Sequence, residues 1–310
     1  MTKTVVAERY GGPEVLALHD VELPPPGDGQ VLVAVRAAGA NPVDYKLYSG
    51  QMGADPNALP MPVGMEASGV VIEAPARAEG YTGPLQAGDE VIVTNIRNAY
   101  SERVTAAAAE IGHKPANLTF EEAAGLLLAG ETAWHLLTST NVGTADTVLI
   151  HGAAGGVGQM AVQLAVARGA RAIATASPAR HEQLRRLGAE PVEYGPGLAD
   201  RVRAIGVPDA ALDLVGTDEA LDTSVELVAD RTRIATIAGF ARAGELGIAA
   251  LSGAGDGQAV RDAARPDLIR LAAAGQLTVT VDKVFPLADA ADAHRYLQSG
   301  HAHGKVVLVP

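Results

Sequence analysis

Through the first 115 positions Val and Ile recur among polar residues, in short runs cut by Gly and Pro: KTVVAERYG, GQVLVAVRAAG, ASGVVIEAPA, GDEVIVTN and YSERVTAAAA. This pattern predicts short β-strands joined by turns, with PPPGDG (24–29) as a turn-rich connector. The pattern then changes. Thr119 followed three residues later by Glu122 is a capping-box signature, and it predicts a helix starting in FEEAAGLLLAGETAWHLLT. From about residue 147 strand-like and helix-like runs alternate: TVLIHG, GQMAVQLAVARG, ARAIATAS, ARHEQLRRLG, PVEYG, LADRVRAIG, AALDLVG, EALDTSVELVA and RTRIATIAG. That alternation predicts a doubly wound parallel sheet. After about residue 265 come one more helix, RPDLIRLAAAG, and a last strand, GKVVLVP. No helical partner follows that strand, so it is expected back in the β-rich part. The predicted layout is a β-rich domain (1–120 and 268–310) interrupted by an α/β domain (121–267).

A chain of 310 residues has room for about two domains with separate cores. Hydrophobic residues make up 48% and charged residues 19%, as in ordinary soluble domains. No apolar run approaches the roughly 18 residues of a membrane helix. The N-terminus has no basic region followed by an apolar core, so the default expectation is a cytoplasmic protein. The net charge of −12 opposes general binding to nucleic acid or anionic membranes, while leaving room for one local basic pocket. Cysteine is absent, which excludes disulfides and thiolate metal sites. The HAH run at 301–303 has no third ligand nearby in sequence and reads as a surface loop.

The stretch HGAAGGVGQM (151–160) carries the strongest chemical signal. It follows a predicted strand, opens a predicted helix and starts a βαβ unit, the context a dinucleotide loop requires. Ala153, Gly155 and Gly158 stand at the three positions of G-x-G-x-x-G, with Gly156 and Val157 between the last two. The second glycine lets backbone approach a pyrophosphate, the third lets helix pack on strand, and the helix start supplies N–H donors. An NAD site places Asp or Glu about 20 residues further on, for the ribose 2′-hydroxyl. Here Ala176 and Ser177 end the second strand, and Arg180 and His181 follow. A hydroxyl and a guanidinium suit a 2′-phosphate, so the expected cofactor is NADPH.

Further motifs run the whole length in order: AAGANPVDYKLYSG (37–50), PVGMEASGVV (62–71), GDEVIV (88–93), YSERV (100–104), AGETAWHLL (129–137), HGAAGGVG (151–158) and GKVVLVP (304–310). With them the chain resembles the medium-chain dehydrogenase/reductase superfamily, and most of all its zinc-independent quinone oxidoreductase (zeta-crystallin-like) branch. The resemblance implies a Rossmann domain plus a discontinuous GroES-like β-rich domain, an active site in the cleft between them, and a homodimer. Zinc-dependent relatives carry a cysteine and a histidine where this chain has Asn41 and Met65, so no catalytic zinc is expected. Hydride transfer from NADPH to a quinone is the first expectation. Reduction of activated C=C bonds in enones or alkenals is the second, and a low-turnover NADPH-binding structural or regulatory protein the third.

The residues that the resemblance singles out are Asn41, Tyr45 and Lys46, as groups that polarise the substrate oxygen. Close relatives carry a tyrosine where Lys46 stands, so which of Tyr45 and Lys46 takes its role stays open. Tyr48 is expected near the cleft mouth, Tyr100 in the substrate pocket, and Glu66 as a structural carboxylate. Thr132 is expected beside the nicotinamide and Tyr194 beside the adenosine. The backbone of Ala238, Gly239 and Phe240 is expected at the carboxamide, and Lys305 at the phosphates.

Overall fold

The computed structural model describes all 310 residues, which divide into two compact units: residues 1–128 with 269–310, and residues 129–268. Residues 121–128 thus belong to the first unit. The helix capped by Thr119 accounts for this. Thr119 Oγ accepts from the Glu122 N–H and Glu122 returns a bond to the Thr119 N–H, but the helix ends after Phe120–Ala124. A Cβ on Gly125 would lie 2.8 Å from the Lys305 side chain, so the chain turns tightly there. It resumes as the helix Leu127–Ser139.

In the first unit, strands predicted from alternation form a seven-stranded sheet. Gln30–Ala40 pairs antiparallel with Ala67–Glu73, and Arg103–Ala107 also pairs with it. The last strand, Lys305–Val309, lies antiparallel to Gln30–Ala40, with Val306 opposite Ala40, and parallel to Val281–Pro286. A three-stranded sheet of Leu16–Val21, Thr2–Ala7 and Met61–Pro62 adds to it. Inward Val, Ile and Ala side chains from these strands make one continuous core, including Val33, Val35, Val91 and Ile111. Burial of a Val or Ile side chain contributes about 1.5–3 kcal/mol.

The second unit holds six parallel strands. Their spatial order is Ala189–Val192, Arg171–Thr175, Thr147–His151, Ala210–Asp213, Ile234–Thr236, Ala249–Ala250. In chain order that is third, second, first, fourth, fifth, sixth, the Rossmann arrangement, in which ligands bind beyond the carboxyl ends of the strands where the order reverses. One helix is longer than its sequence suggests. Asp256–Ala273 runs through Pro266, although proline usually marks a helix start; the buried Arg265, ion-paired to Glu131, ties down the turn just before it. No helix is long and apolar enough to cross a membrane.

Candidate functional site

The glycine loop sits between the strand Thr147–His151 and the helix Gly156–Ala167. The first N–H groups of that helix, on Gly156, Val157 and Gly158, have no partner inside it and add to the positive end of its dipole. The two later glycines of the motif differ. A Cβ at Gly158 would stand 2.4 Å from the Gly152 carbonyl oxygen and 2.6 Å from Ala153 Cα, so the fold itself demands glycine there. A Cβ at Gly155 would meet only one atom, at 3.5 Å. The fold does not require Gly155, whereas close approach of a phosphate would. Ala153 is buried and holds the strand end through its N–H to Thr175 O.

Ser177 caps a short 3-10 turn, Pro178–Arg180, at the end of the second strand. No carboxylate stands there. Arg180 is half-buried, and its buried Nε has no partner. His181 is engaged through Nε2 with the Ala176 carbonyl oxygen at 3.2 Å. The Ser177 hydroxyl and the Arg180 guanidinium, three residues apart at the end of the second strand, are the types of group that fit a dinucleotide carrying an extra phosphate. Tyr194 lies beyond the third strand and is 55% exposed.

Beyond the fourth and fifth strands the loops are braced from below. The buried Asp213 carboxylate accepts from the N–H groups of Val215 (3.1 Å) and Gly216 (2.9 Å) and from the Thr236 hydroxyl (2.6 Å). Thr236 Oγ in turn accepts from the N–H groups of Ala238 (3.0 Å) and Gly239 (2.7 Å). The expectation that the backbone of 238–240 is available for a carboxamide therefore needs correction. Two of its three N–H groups are held by Thr236, which leaves the Phe240 N–H at the start of the next helix. His151, opposite Asp213 in register, is buried with Nε2 unpartnered, and burial lowers its pKa to about 4 against the pull of Asp213. Thr132 is buried in the helix Leu127–Ser139 of the same unit.

In the β-rich unit the short helix Pro42–Tyr48 carries the residues expected to polarise a substrate. Asn41 precedes it, and its amide is already committed: Nδ2 donates to Gly39 O and Glu66 Oε1, both at 3.1 Å, while Oδ1 accepts from Lys305 Nζ. Both amide N–H groups of Asn41 are thus engaged within the protein. Lys305 is corrected likewise. Read as a phosphate partner, it is buried and ion-paired to Glu66 at 2.9 Å. Glu66 is the structural carboxylate expected, its Oε2 accepting from the Leu128 N–H at 2.9 Å. Tyr45 packs partly buried against the β-rich core, and burial raises its phenol pKa. Lys46 is half-buried on the same helix.

Asp44 and Tyr48, four residues apart, share the buried face of this helix. The Tyr48 hydroxyl pairs with His294 Nδ1 at 3.0 Å and the Tyr100 hydroxyl with His294 Nε2 at 3.0 Å. Tyr100 also donates to Asp44 Oδ2 at 2.9 Å. Tyr48 and Tyr100 are therefore core residues, not pocket-mouth or pocket-lining ones. Burial lowers His294 to about 4, keeping it neutral, and raises Asp44 to about 7 in spite of its hydrogen bonds from Tyr100 and the Asn41 N–H and the charge of Lys305. Sequence reading singled out neither Asp44 nor His294. The i, i+4 spacing of Asp44 and Tyr48 was the one available signal.

Zinc-dependent relatives hold a zinc ion at this place, and the residues here do not fit one. Asn41 and Met65 stand at the ligand positions, and the Lys305 ammonium holds the oxygens of both Asn41 and Glu66. No group of three or more His, Cys, Asp or Glu side chains is placed to hold a metal ion.

Comparison with known proteins agrees with this geometry. Residues 27–152 match the alcohol dehydrogenase GroES-like domain and residues 187–308 match zinc-binding dehydrogenase. The chain is 32% identical to a quinone oxidoreductase of Pseudomonas aeruginosa, with 100% of each chain covered. It is 31% identical to the chloroplastic NADPH-dependent alkenal/one oxidoreductase of Arabidopsis thaliana, over 99% of this chain and 79% of that one. Its fold matches the Escherichia coli quinone oxidoreductase complexed with NADPH at a TM-score of 0.85 and 27% identity, over 100% of both chains.

Proposed function

The chain belongs to the zeta-crystallin-like quinone oxidoreductase branch of the medium-chain dehydrogenase/reductase family, and we propose that it is an NADPH-dependent, zinc-independent reductase of quinones. The observation that carries the cofactor assignment is the pair formed by the open Gly155 cradle and the unpartnered Arg180 Nε beside Ser177. When bound, NADPH supplies the hydride. The chain's own part is to hold the pyrophosphate on the N–H groups of Gly156 to Gly158, the 2′-phosphate at Ser177 and Arg180, and the acceptor in position. A quinone needs no metal to activate it, which accords with Asn41 and Met65 where zinc-dependent relatives carry ligands and with the Lys305 ammonium bound to Asn41 and Glu66.

Reduction of activated C=C bonds is the second reading, supported by the likeness to the plant alkenal/one oxidoreductase. The deciding experiment follows NADPH oxidation with a panel of quinones and of enones, with and without a chelator. The primary reading expects quinone turnover unaffected by chelation and no stoichiometric zinc by elemental analysis. Turnover of enones alone would favour the second reading, and one zinc per chain would overturn the metal-free one. A homodimer, expected from the resemblance, is tested by sedimentation equilibrium.

A further inference from the structure

Three neighbouring strands of the parallel sheet, Thr147–His151, Ala210–Asp213 and Ile234–Thr236, end in a row of buried polar side chains. His151, Asp213 and Thr236 stand opposite one another in register. Asp213 is the hub of the row. Its Oδ1 accepts from the Val215 N–H at 3.1 Å and the Gly216 N–H at 2.9 Å, and its Oδ2 accepts from the Thr236 hydroxyl at 2.6 Å. Its backbone carbonyl accepts from the Ile237 N–H at 3.1 Å. Thr236 Oγ then accepts from the N–H groups of Ala238 and Gly239 at 3.0 and 2.7 Å. One carboxylate thus fixes the course of two loops, 214–217 and 237–240, where they leave the fourth and fifth strands. Each loop also sits against a neighbour. A Cβ on Gly216 would lie 2.8 Å from the Ala238 carbonyl carbon, and a Cβ on Gly152, in the phosphate loop, would lie 2.6 Å from Val215 Cγ1. Fixing Val215 and Gly216 therefore holds a neighbour of the phosphate loop on one side and of loop 237–240 on the other.

We propose that Asp213, acting through Thr236, is a positioning residue for the dinucleotide: it preassembles three loops into the rim that takes NADPH, without touching NADPH itself. The inference rests on the NADPH reading for the identity of the ligand. The place fits, because ligands of this fold bind beyond the carboxyl ends of the strands. Stability alone gives no reason for the hub. The hydrogen-bond partners of the Asp213 carboxylate are two N–H groups and a hydroxyl, and none is a cation. A buried carboxylate so placed costs the fold more than an apolar side chain would. What it yields is loop geometry. The loops have little core packing of their own to hold them, since Val215 is 47% and Phe240 49% exposed. Loops left free would have to be ordered when the ligand binds, and that ordering would be subtracted from affinity.

The test combines amide hydrogen exchange of the cofactor-free protein with fluorescence titration of NADPH, on chains shown to be folded by urea unfolding. In the wild type the N–H groups of Val215, Gly216, Ala238 and Gly239 are expected to be protected before NADPH is added. Exchange there at the rate of an unfolded chain overturns the proposal. Thr236→Val removes the hydroxyl and keeps the shape. It should free the Ala238 and Gly239 N–H groups and weaken NADPH about tenfold or more, while Thr236→Ser should restore affinity to within about threefold. Asp213→Asn keeps an acceptor for Val215 and Gly216 but sets an N–H donor against Thr236 Oγ. It should leave the first pair protected, free the second and weaken NADPH in the same direction. Wild-type affinity in folded Thr236→Val, whatever its loss of stability, or no recovery in Thr236→Ser, overturns the proposal. Should Thr236→Val not fold, Asp213→Asn decides by the same criterion, and failure of both to fold makes the hub a requirement of the fold and overturns it too. No NADPH binding by the wild type overturns the reductase reading and the proposal together. NADPH binding without turnover of quinone or enone overturns the reductase reading alone.

Discussion

The loops beyond the parallel strands and the polar cluster of the β-rich unit use their hydrogen-bonding groups in opposite ways. In the parallel unit, Asp213 and Thr236 hold the loop backbone from beneath. The helix-start N–H groups of Gly156 to Gly158 have no partner inside their helix, and the Arg180 Nε has no hydrogen-bond partner. In the polar cluster of the β-rich unit the side chains satisfy one another: Asn41 by Glu66 and Lys305, Tyr48 and Tyr100 by His294. Asp44 Oδ1 is the exception among them. Residue type alone therefore says little about chemical availability. Asn41 and Lys305 are polar, near the expected chemistry, and committed elsewhere, whereas plain backbone amides remain open.

The comparison breaks most visibly at the buried pair. Lys305→Met leaves Glu66 with an uncompensated buried charge, and a loss of about 3–5 kcal/mol in urea unfolding is expected. Adding Glu66→Gln should restore much of it; no rescue would mean that Lys305 acts other than by neutralising Glu66. The two glycines come next. Gly158→Ala drives a methyl into backbone and should cost about 1–3 kcal/mol or more. Gly155→Ala should change stability by less than about 0.5 kcal/mol. It should nonetheless weaken NADPH about tenfold or more, a loss of at least 1.4 kcal/mol. Equal stability losses for the two would remove the distinction between fold-required and ligand-required glycine.

Arg180→Ala is expected to weaken NADPH roughly ten- to hundredfold, the worth of about 1.5–3 kcal/mol for a charge-assisted bond, and to leave NADH nearly untouched. Equal affinity of the wild type for NADH and NADPH would show that no 2′-phosphate pocket exists. The last expected effect is in pH dependence. Burial lowers His294 to about 4, so its stabilisation is full above the unfolded value near 6.5 and is lost as pH falls through 4. Burial raises Asp44 to about 7, so its contribution is full below 3.8 and is lost as pH rises through 7. Difference curves of unfolding midpoint against pH should therefore have opposite slopes. Asp44→Asn should relieve the loss on the neutral side, and His294→Gln the loss on the acid side. Parallel curves would show that the two groups do not titrate as their burial demands.

What the sequence by itself determined is local. Alternation and turn residues marked the strands, Thr119 and Glu122 marked a helix start, and HGAAGGVG marked the phosphate loop. Each of these depends on contacts within a few residues, where the geometry of strand and helix leaves little choice. Even there the helix stopped at Gly125, a position where the Lys305 side chain from the far end of the chain leaves no room for a Cβ. Tertiary structure alone decided which polar groups found each other. Lys305 reaches Asn41 across 264 positions, and Tyr48 reaches His294 across 246. The first meeting is set by the register of the last strand, Val306 opposite Ala40. The second follows from packing of the helix Ala290–Gln298, which carries the buried His294. A buried polar group must find a partner wherever the fold brings one, and a one-dimensional pattern records its need but not its partner.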